Sequence, residues 1–251
     1  MPGVAPDPLG AWRHAVGVLA HRGGAGPWRE NTVEAFAGAL AAGADGVELD
    51  VRRTVDGALV VHHDAAVEGA GPVHDRRRDE LPGWVPTLGE ALAACDGAVV
   101  NVEIKNLPTD AGFDQANRVS ADVAGLLAAG GAGGDRWPAR VVVSSFWPDA
   151  LGALAAAAER LGGAGAPAMG LLVHPGLEAG PALDTAVSLG CAALHPHHRQ
   201  VDRDLVARAH DLGLAVVTWT VNRAEDLDAV VGAGVDAVIT DRVAQTLAQL
   251  A

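Results

Sequence analysis

The chain has 251 residues, 49% of them hydrophobic, and a formal charge of −13 from 18 basic and 31 acidic side chains. That apolar share is too high for a disordered chain, and no run of about 18 apolar residues is present to cross a membrane. A pI near 5.0 argues against a nucleic-acid binder, which needs a basic face.

From the N-terminus, the stretch 1–17 mixes Pro, Asp, Arg and His and lacks the apolar core of a signal peptide. Short apolar, β-branched runs then recur at 16–20, 46–51, 58–62, 98–104, 140–144, 169–173, 192–194, 214–220 and 235–240. Helix signals fall between them. Asn31-Thr32-Val33-Glu34 and Thr87-Leu88-Gly89-Glu90 read as capping boxes, and further helices are predicted at 112–129, 148–161, 181–189, 202–212, 224–231 and 243–250. The second and third runs are joined only by Arg52 to Gly57, ending in the turn signal Asp56-Gly57. No crossover helix fits there, so the third run is predicted to return as the second arm of an antiparallel hairpin. Eight parallel strands and eight helices remain. In about 250 residues that is the size of a (β/α)8 TIM barrel, with a small hairpin-containing insertion at about 52–85, after strand 2. No linker divides the chain, so 1–251 is expected to be one domain. The Gly-rich segments 130–134 and 162–165 sit where loops belong. A doubly wound open sheet is the alternative, but no Gly-rich dinucleotide fingerprint follows strand 1. Cys95 and Cys191 are far apart, match no metal spacing, and read as reduced core residues of a cytoplasmic protein.

Several strands end in charge rather than in turn residues. In a barrel, those ends face the active-site mouth. Strand 1 ends Ala20-His21-Arg22-Gly23-Gly24, strand 2 carries Glu48 and Asp50, the next barrel strand carries Glu103 and Lys105, and the hairpin returns through His62-His63-Asp64. Strand side chains alternate faces, so Glu48 shares a face with Asp50, and Glu103 with Lys105. Three carboxylates converging in one mouth repel strongly unless a cation sits among them. An all-oxygen set selects a hard ion, Mg²⁺ or Ca²⁺. His21 and His63 are the acid/base candidates; His62 and His63 point to opposite faces, so only one of the two serves the site. Arg22 is placed to bind an anion.

In these residues the sequence closely resembles the glycerophosphodiester phosphodiesterase family. The matching pieces run in order through His21-Arg22-Gly23-Gly24, Glu30-Asn31-Thr32, the stretch 43–51, Asp56-Gly57, His62-His63-Asp64, the stretch 86–92, Glu103-Ile104-Lys105, Ser144-Ser145-Phe146, Trp219-Thr220-Val221-Asn222 and the stretch 234–241. They span nearly the whole chain. The resemblance implies a (β/α)8 barrel with a small insertion after strand 2. It implies one divalent cation, Mg²⁺ or Ca²⁺, held by Glu48, Asp50 and Glu103, and His21 and His63 as the catalytic histidines. Arg22 and Lys105 would touch the phosphate, Trp219 would line the glycerol side, and Glu30 and Asn31 would orient the first loop. The substrate would be a small-molecule glycerophosphodiester, cleaved to sn-glycerol 3-phosphate and an alcohol.

One segment departs from the family pattern. Residues 65–79 are short and charged, which bears on the leaving alcohol rather than on the chemistry. The alternatives are a lysophospholipase D or sphingomyelinase D-like phosphodiesterase, a phosphodiester-binding barrel without catalysis, and a different metal-dependent barrel lyase. The cluster Leu194-His195-Pro196-His197-His198 ends strand 6 and is expected at the rim. No partner nucleic acid and no stable membrane insertion are expected, and nothing in the pattern specifies an oligomeric state. Lys105 is the only lysine in the chain, against 17 arginines, and it falls two residues after an expected metal ligand.

Overall fold

The computed structural model describes Leu9 and residues 12–130, 140–162 and 167–251. Most of the N-terminal stretch and much of both Gly-rich segments lie outside the described residues. In chain order the elements are β1 (Gly17–His21), α1 (Val33–Ala41), β2 (Gly46–Arg53), β3 (Leu59–Val61), β4 (Ala66–Val67), β5 (Gly71–Pro72), α2 (Leu88–Ala94), β6 (Val99–Ile104), α3 (Arg118–Ala129), β7 (Val141–Ser145) and α4 (Pro148–Arg160). They continue with β8 (Ala168–Val173), α5 (Ala179–Ser188), β9 (Ala193–Pro196), α6 (Arg203–Asp211), β10 (Ala215–Thr218), α7 (Ala224–Ala233), β11 (Ala237–Thr240) and α8 (Val243–Leu250). Eight of these strands pair in parallel in the order β1-β2-β6-β7-β8-β9-β10-β11, and β11 pairs back onto β1. The sheet therefore closes, and the fold is the (β/α)8 TIM barrel that the alternation predicts.

Side-chain parity sorts each strand into two faces. On β2, Val47, Leu49 and Val51 point outward into the layer of Phe36, Leu88 and Leu92. That outer layer is the main core, and burying a side chain such as Phe36 contributes about 1.5–3 kcal/mol. The barrel interior holds a second apolar cluster that includes Leu19, Val99, Val142, Val217 and Ile239. Trp12 closes the N-terminal end over Gly17, where any side chain would collide with the indole. Above this plug, at the C-terminal strand ends, the inward residues turn polar.

The hairpin expectation holds. β3 runs antiparallel to β2, with Val51 opposite Val61 and Arg53 opposite Leu59. Gly57 turns the chain with φ 88°, and the Thr54 hydroxyl donates to Asp56 Oδ1 at 2.6 Å. The insertion continues through the short β4–β5 ladder over its own small core of Val60, Val67, Val73, Leu81 and Val85.

Two local expectations are corrected. The cap of α1 is Thr32, whose side chain accepts from the Ala35 amide, not Asn31, because Asn31 is engaged with Asp50. The third helix begins at Arg118, not at 112. The Asn106 side chain binds the amide and carbonyl of Asp114, both at 2.9 Å, and so holds the preceding segment as a loop. The Thr87–Glu90 capping box is present in full.

Candidate active site

The site is assembled at the C-terminal mouth by the first turn after β1. Gly23 and Gly24 adopt φ 89° and φ 77°, and Arg22 itself lies at φ 51°. A Cβ at Gly23 would collide with Ala35, so the chain needs glycine there. The left-handed Arg22 aims its amide at Glu48 Oε2, 3.1 Å away. Asn31, also left-handed at φ 58°, donates from its side-chain amide to Asp50 Oδ2 at 2.8 Å and accepts from the Asp50 amide. The first loop thus fixes the backbone and carboxylates of β2.

β2 and β6 lie side by side with Asp50 in register with Glu103. Glu48, Asp50 and Glu103 are 3%, 1% and 8% exposed. Each offers an oxygen, and these oxygens all lie within 4.8 Å of one another. Lys105 Nζ sits 2.6 Å from Glu103 Oε1 and 3.0 Å from Asp50 Oδ1, and Arg22 Nε is 3.3 Å from Asp50 Oδ2. Arg22 also pairs with Glu30 at 3.0 Å. Three buried carboxyl groups therefore face two cations, one fewer than their full ionisation would need. The electrostatics follow. Burial and the neighbouring Asp50 push the Glu48 carboxyl up to about 8. Burial alone would raise Asp50 as well, but Lys105 and Arg22 outweigh it and hold that carboxyl below its ordinary value. Asp50 Oδ1 is buried without a well-formed hydrogen bond, although Lys105 lies beside it. This all-oxygen donor set, short of positive charge, fits a divalent cation.

The two candidate histidines stand in unlike surroundings. His21, at the end of β1, donates from Nδ1 to Asp241 at 2.7 Å. Burial opposes its protonation, but the Asp241 hydrogen bond and the charge of Glu48 prevail, so its pKa lies above the ordinary value. His63 follows β3 and pairs through Nδ1 with Asp64 at 2.7 Å. Burial and the Lys105 ammonium outweigh Asp50 and Asp64, so its pKa lies below the ordinary value. The Arg52 guanidinium donates to the His63 carbonyl at 2.9 Å and fixes that backbone. His62 turns the other way and packs its ring 6.0 Å from Trp84.

Trp219 lies further round the mouth, after β10. Its indole donates to the His195 carbonyl at 2.9 Å, and it meets Phe146 and His197 edge-on at 5.3 and 5.1 Å. His197 and His198 are partly exposed at the rim, as expected. His195 is not at the rim. It is 1% exposed in the barrel interior, in the space left by Gly170, and neither ring nitrogen has a partner. Burial lowers its pKa to about 3, so the ring is neutral. Asp241 is the residue that sequence reasoning left without a role. The signal was a carboxylate at the end of the last strand. Its other oxygen accepts from Asn222 at 2.6 Å.

Comparison with known proteins agrees with this geometry. Residues 21–245 match the model of the glycerophosphoryl diester phosphodiesterase family. A glycerophosphodiester phosphodiesterase of Caldanaerobacter subterraneus subsp. tengcongensis is 32% identical over 245 residues, covering 89% of this chain and 93% of that protein. The crystal structure of a putative glycerophosphoryl diester phosphodiesterase from Silicibacter pomeroyi superposes with TM-score 0.81 and 28% identity, over 96% of this chain and 95% of that one. An Oleispira antarctica phosphodiesterase, solved in complex with the product sn-glycerol-3-phosphate, superposes with TM-score 0.77 and 25% identity, over 93% and 96% of the two chains. With the family model and a full-length relative both matching, the chain belongs to the glycerophosphoryl diester phosphodiesterase family.

Proposed function

We propose that this enzyme hydrolyses glycerophosphodiesters to sn-glycerol 3-phosphate and an alcohol, with His63 as general base and His21 as general acid. The observation that carries the reading is the buried Glu48–Asp50–Glu103 cluster with Lys105 and Arg22 against it. A divalent cation held by these three carboxylates, Mg²⁺ or Ca²⁺, would supply positive charge beside a phosphate oxygen.

The chain's own groups do the rest. Lys105 and Arg22 line the same mouth and bind the anionic phosphate. Lys105 is the compact point charge here, and Arg22 the planar fork. His63, held below its ordinary pKa, is neutral near pH 7 and accepts the proton of the attacking hydroxyl. That hydroxyl belongs to water or to the glycerol 2-position, and the same base serves both routes. One P–O bond forms and the bond to the leaving alcohol breaks; on the 2-hydroxyl route this gives a cyclic phosphate, whose P–O2 bond water then breaks to give sn-glycerol 3-phosphate. His21, held above its ordinary pKa by Asp241, gives its proton to the departing oxygen. Two groups whose environments push their pKa values apart are suited to these opposite tasks. Trp219, with Phe146 and His197, forms an aromatic wall suited to the glycerol carbons.

The described elements form one barrel with its insertion, which supports reading 1–251 as one domain. Cys95 and Cys191 are free and buried, which supports a reducing, cytoplasmic setting. The test is release of sn-glycerol 3-phosphate from a panel of glycerophosphodiesters, and of lysophosphatidic acid from lysophospholipids, each with Mg²⁺, Ca²⁺ or Mn²⁺. Release from the diesters, abolished by EDTA, supports the reading. Turnover of lysophospholipids alone would overturn it.

A further inference from the structure

A cavity of about 770 Å³ opens directly from His21 and Asp241 and runs outward between the first loop and the C-terminal helix. Trp28 lies on one side, and Arg242, Gln245 and Gln249 on the other. From this groove we infer the class of the leaving alcohol: a polyhydroxylated group without positive charge, such as glycerol or inositol. The inference rests on the phosphodiesterase reading above and deepens it.

Three features point to that chemistry. First, His21 and Asp241 line the inner end of the groove, which therefore lies beside the ring assigned to protonate the leaving oxygen. Second, the charge inside is one-sided. The carboxylates that reach the groove are already engaged: Glu30 with Arg22 at 3.0 Å, and Asp241 with His21 at 2.7 Å and Asn222 at 2.6 Å. Arg223 is paired with Glu225. Among the described residues, the guanidinium of Arg242 and the side-chain amide of Gln245, both lining the groove, have no partner. An ammonium headgroup would meet the Arg242 guanidinium, and carboxylates that already have cationic partners in Arg22 and His21. Hydroxyl groups would meet free donors and an amide acceptor. Third, Trp28 offers a flat surface. Its indole lies against α1 at Gly38, where any side chain would collide with the ring, and it is still 47% exposed. An indole fixed on one side and open on the other suits the apolar face of a polyol. Cation–π attraction to a quaternary ammonium is the competing use of such a ring. The Arg242 guanidinium, which lines the same groove, opposes it.

The experiment compares kcat/KM for glycerophosphoglycerol and glycerophosphoinositol with that for glycerophosphocholine and glycerophosphoethanolamine. It uses the whole protein and the variants Arg242→Gln, Gln245→Ala and Trp28→Ala. Hydrogen-bonding sites discriminate well beyond the ~10-fold of one methylene, so a preference of about tenfold or more for the polyol diesters is expected. Arg242→Gln and Gln245→Ala are expected to shrink that ratio several-fold, about 1 kcal/mol each by the free energy of a single hydrogen bond. Circular dichroism confirms that each variant folds. Equal rates, a choline preference, or a polyol preference unchanged in all three variants would overturn the inference while leaving the phosphodiesterase reading intact. Failure to cleave any diester would overturn that reading, and the inference with it.

Discussion

His21 Nδ1 lies 2.7 Å from Asp241 Oδ1, although 220 residues separate the two in sequence. The first strand of the barrel and the end of the last are thus joined by one proton-holding pair. Asp241 also accepts from Asn222, which fixes the carboxylate and, through it, the ring. The Nδ1–H is spent on Asp241, so the proposed acid role falls to Nε2.

Asp241→Asn is expected to remove the charge that raises His21. A general acid contributes about 10²–10⁴-fold, and loss of its partner is expected to cost a smaller part of that in kcat. The diagnostic readout is the alkaline limb of the pH–rate profile, which should move to lower pH. A purely structural role for Asp241 would lower the rate and leave that limb in place.

For the wild-type enzyme, the two histidines set the sign of each limb. His63 must be unprotonated to act as base, and its pKa lies below the ordinary 6.5. Activity is therefore lost as pH falls through that lowered value. His21 must be protonated to act as acid, and its pKa lies above 6.5. Activity is lost as pH rises through that raised value. A plot of log kcat/KM against pH should be bell-shaped with its maximum between the two; a profile that rises steadily through pH 8 would refute the assignment.

The carboxylate cluster has a separate signature in stability. Glu48→Gln removes one of three carboxyl groups buried within 4.8 Å of one another. Without divalent ions and near pH 7, the variant is expected to melt at higher temperature than the wild type, because folding no longer has to take up a proton at Glu48, whose carboxyl is pushed up to about 8. Adding Mg²⁺ or Ca²⁺ should raise the wild-type Tm, by about 2.7 kcal/mol of added stability at a hundredfold excess over Kd, and should barely move the variant. Differential scanning calorimetry reads both effects, and Glu48→Gln should also lower kcat by orders of magnitude.

Lys105 fills a slot whose side chain is 10% exposed, with Glu103 at 2.6 Å and Asp50 at 3.0 Å. A guanidinium is larger and planar, and does not replace a point charge there. Lys105→Arg is expected to reduce kcat/KM at least ~10-fold, an effect of about 1.4 kcal/mol. Wild-type turnover in this variant would show that the placement of the chain's sole lysine carries no chemistry.

His195 governs stability in acid. Its folded pKa is about 3, against about 6.5 in an unfolded chain. The stability it contributes is present in full above pH 6.5 and is lost as pH falls toward 3, because only the unfolded chain takes up the proton. From well above pH 6.5 down to pH 5 the loss is about 2 kcal/mol. His195→Phe removes the proton site, so its Tm should fall less steeply with acid over this range. Parallel curves for the two proteins would contradict the burial of a neutral ring.

Much of the site was legible because strands have a period of two. Glu48 with Asp50, and Glu103 with Lys105, share faces by parity alone, and the order of the strands makes β2 and β6 neighbours. The hairpin was legible because six residues ending in Asp-Gly leave no room for a crossover. What the sequence hid was set by tertiary competition. Asn31 has a capping residue's chemistry, but Asp50 draws its side chain away and Thr32 caps instead. The start of α3 is set by the reach of Asn106 across a loop. The role of Asp241 depends on closure of the barrel, which no local pattern encodes. His195 follows the inward parity of β9, yet nothing local signals that its ring takes the space of Gly170.

The insertion hangs its histidine on a strand outside the barrel. β3 is zipped to β2 by three residue pairs, and β2 also carries Glu48 and Asp50. His63 and the carboxylates are thereby referenced to one rod, so a tilt of β2 carries them together. The apolar lobe beyond His63 has its own core, into which Val60 of β3 reaches. Exchange of the outer part of that lobe, beyond Val60, would leave the spacing between His63 and the carboxylates to the pairing of β3 with β2.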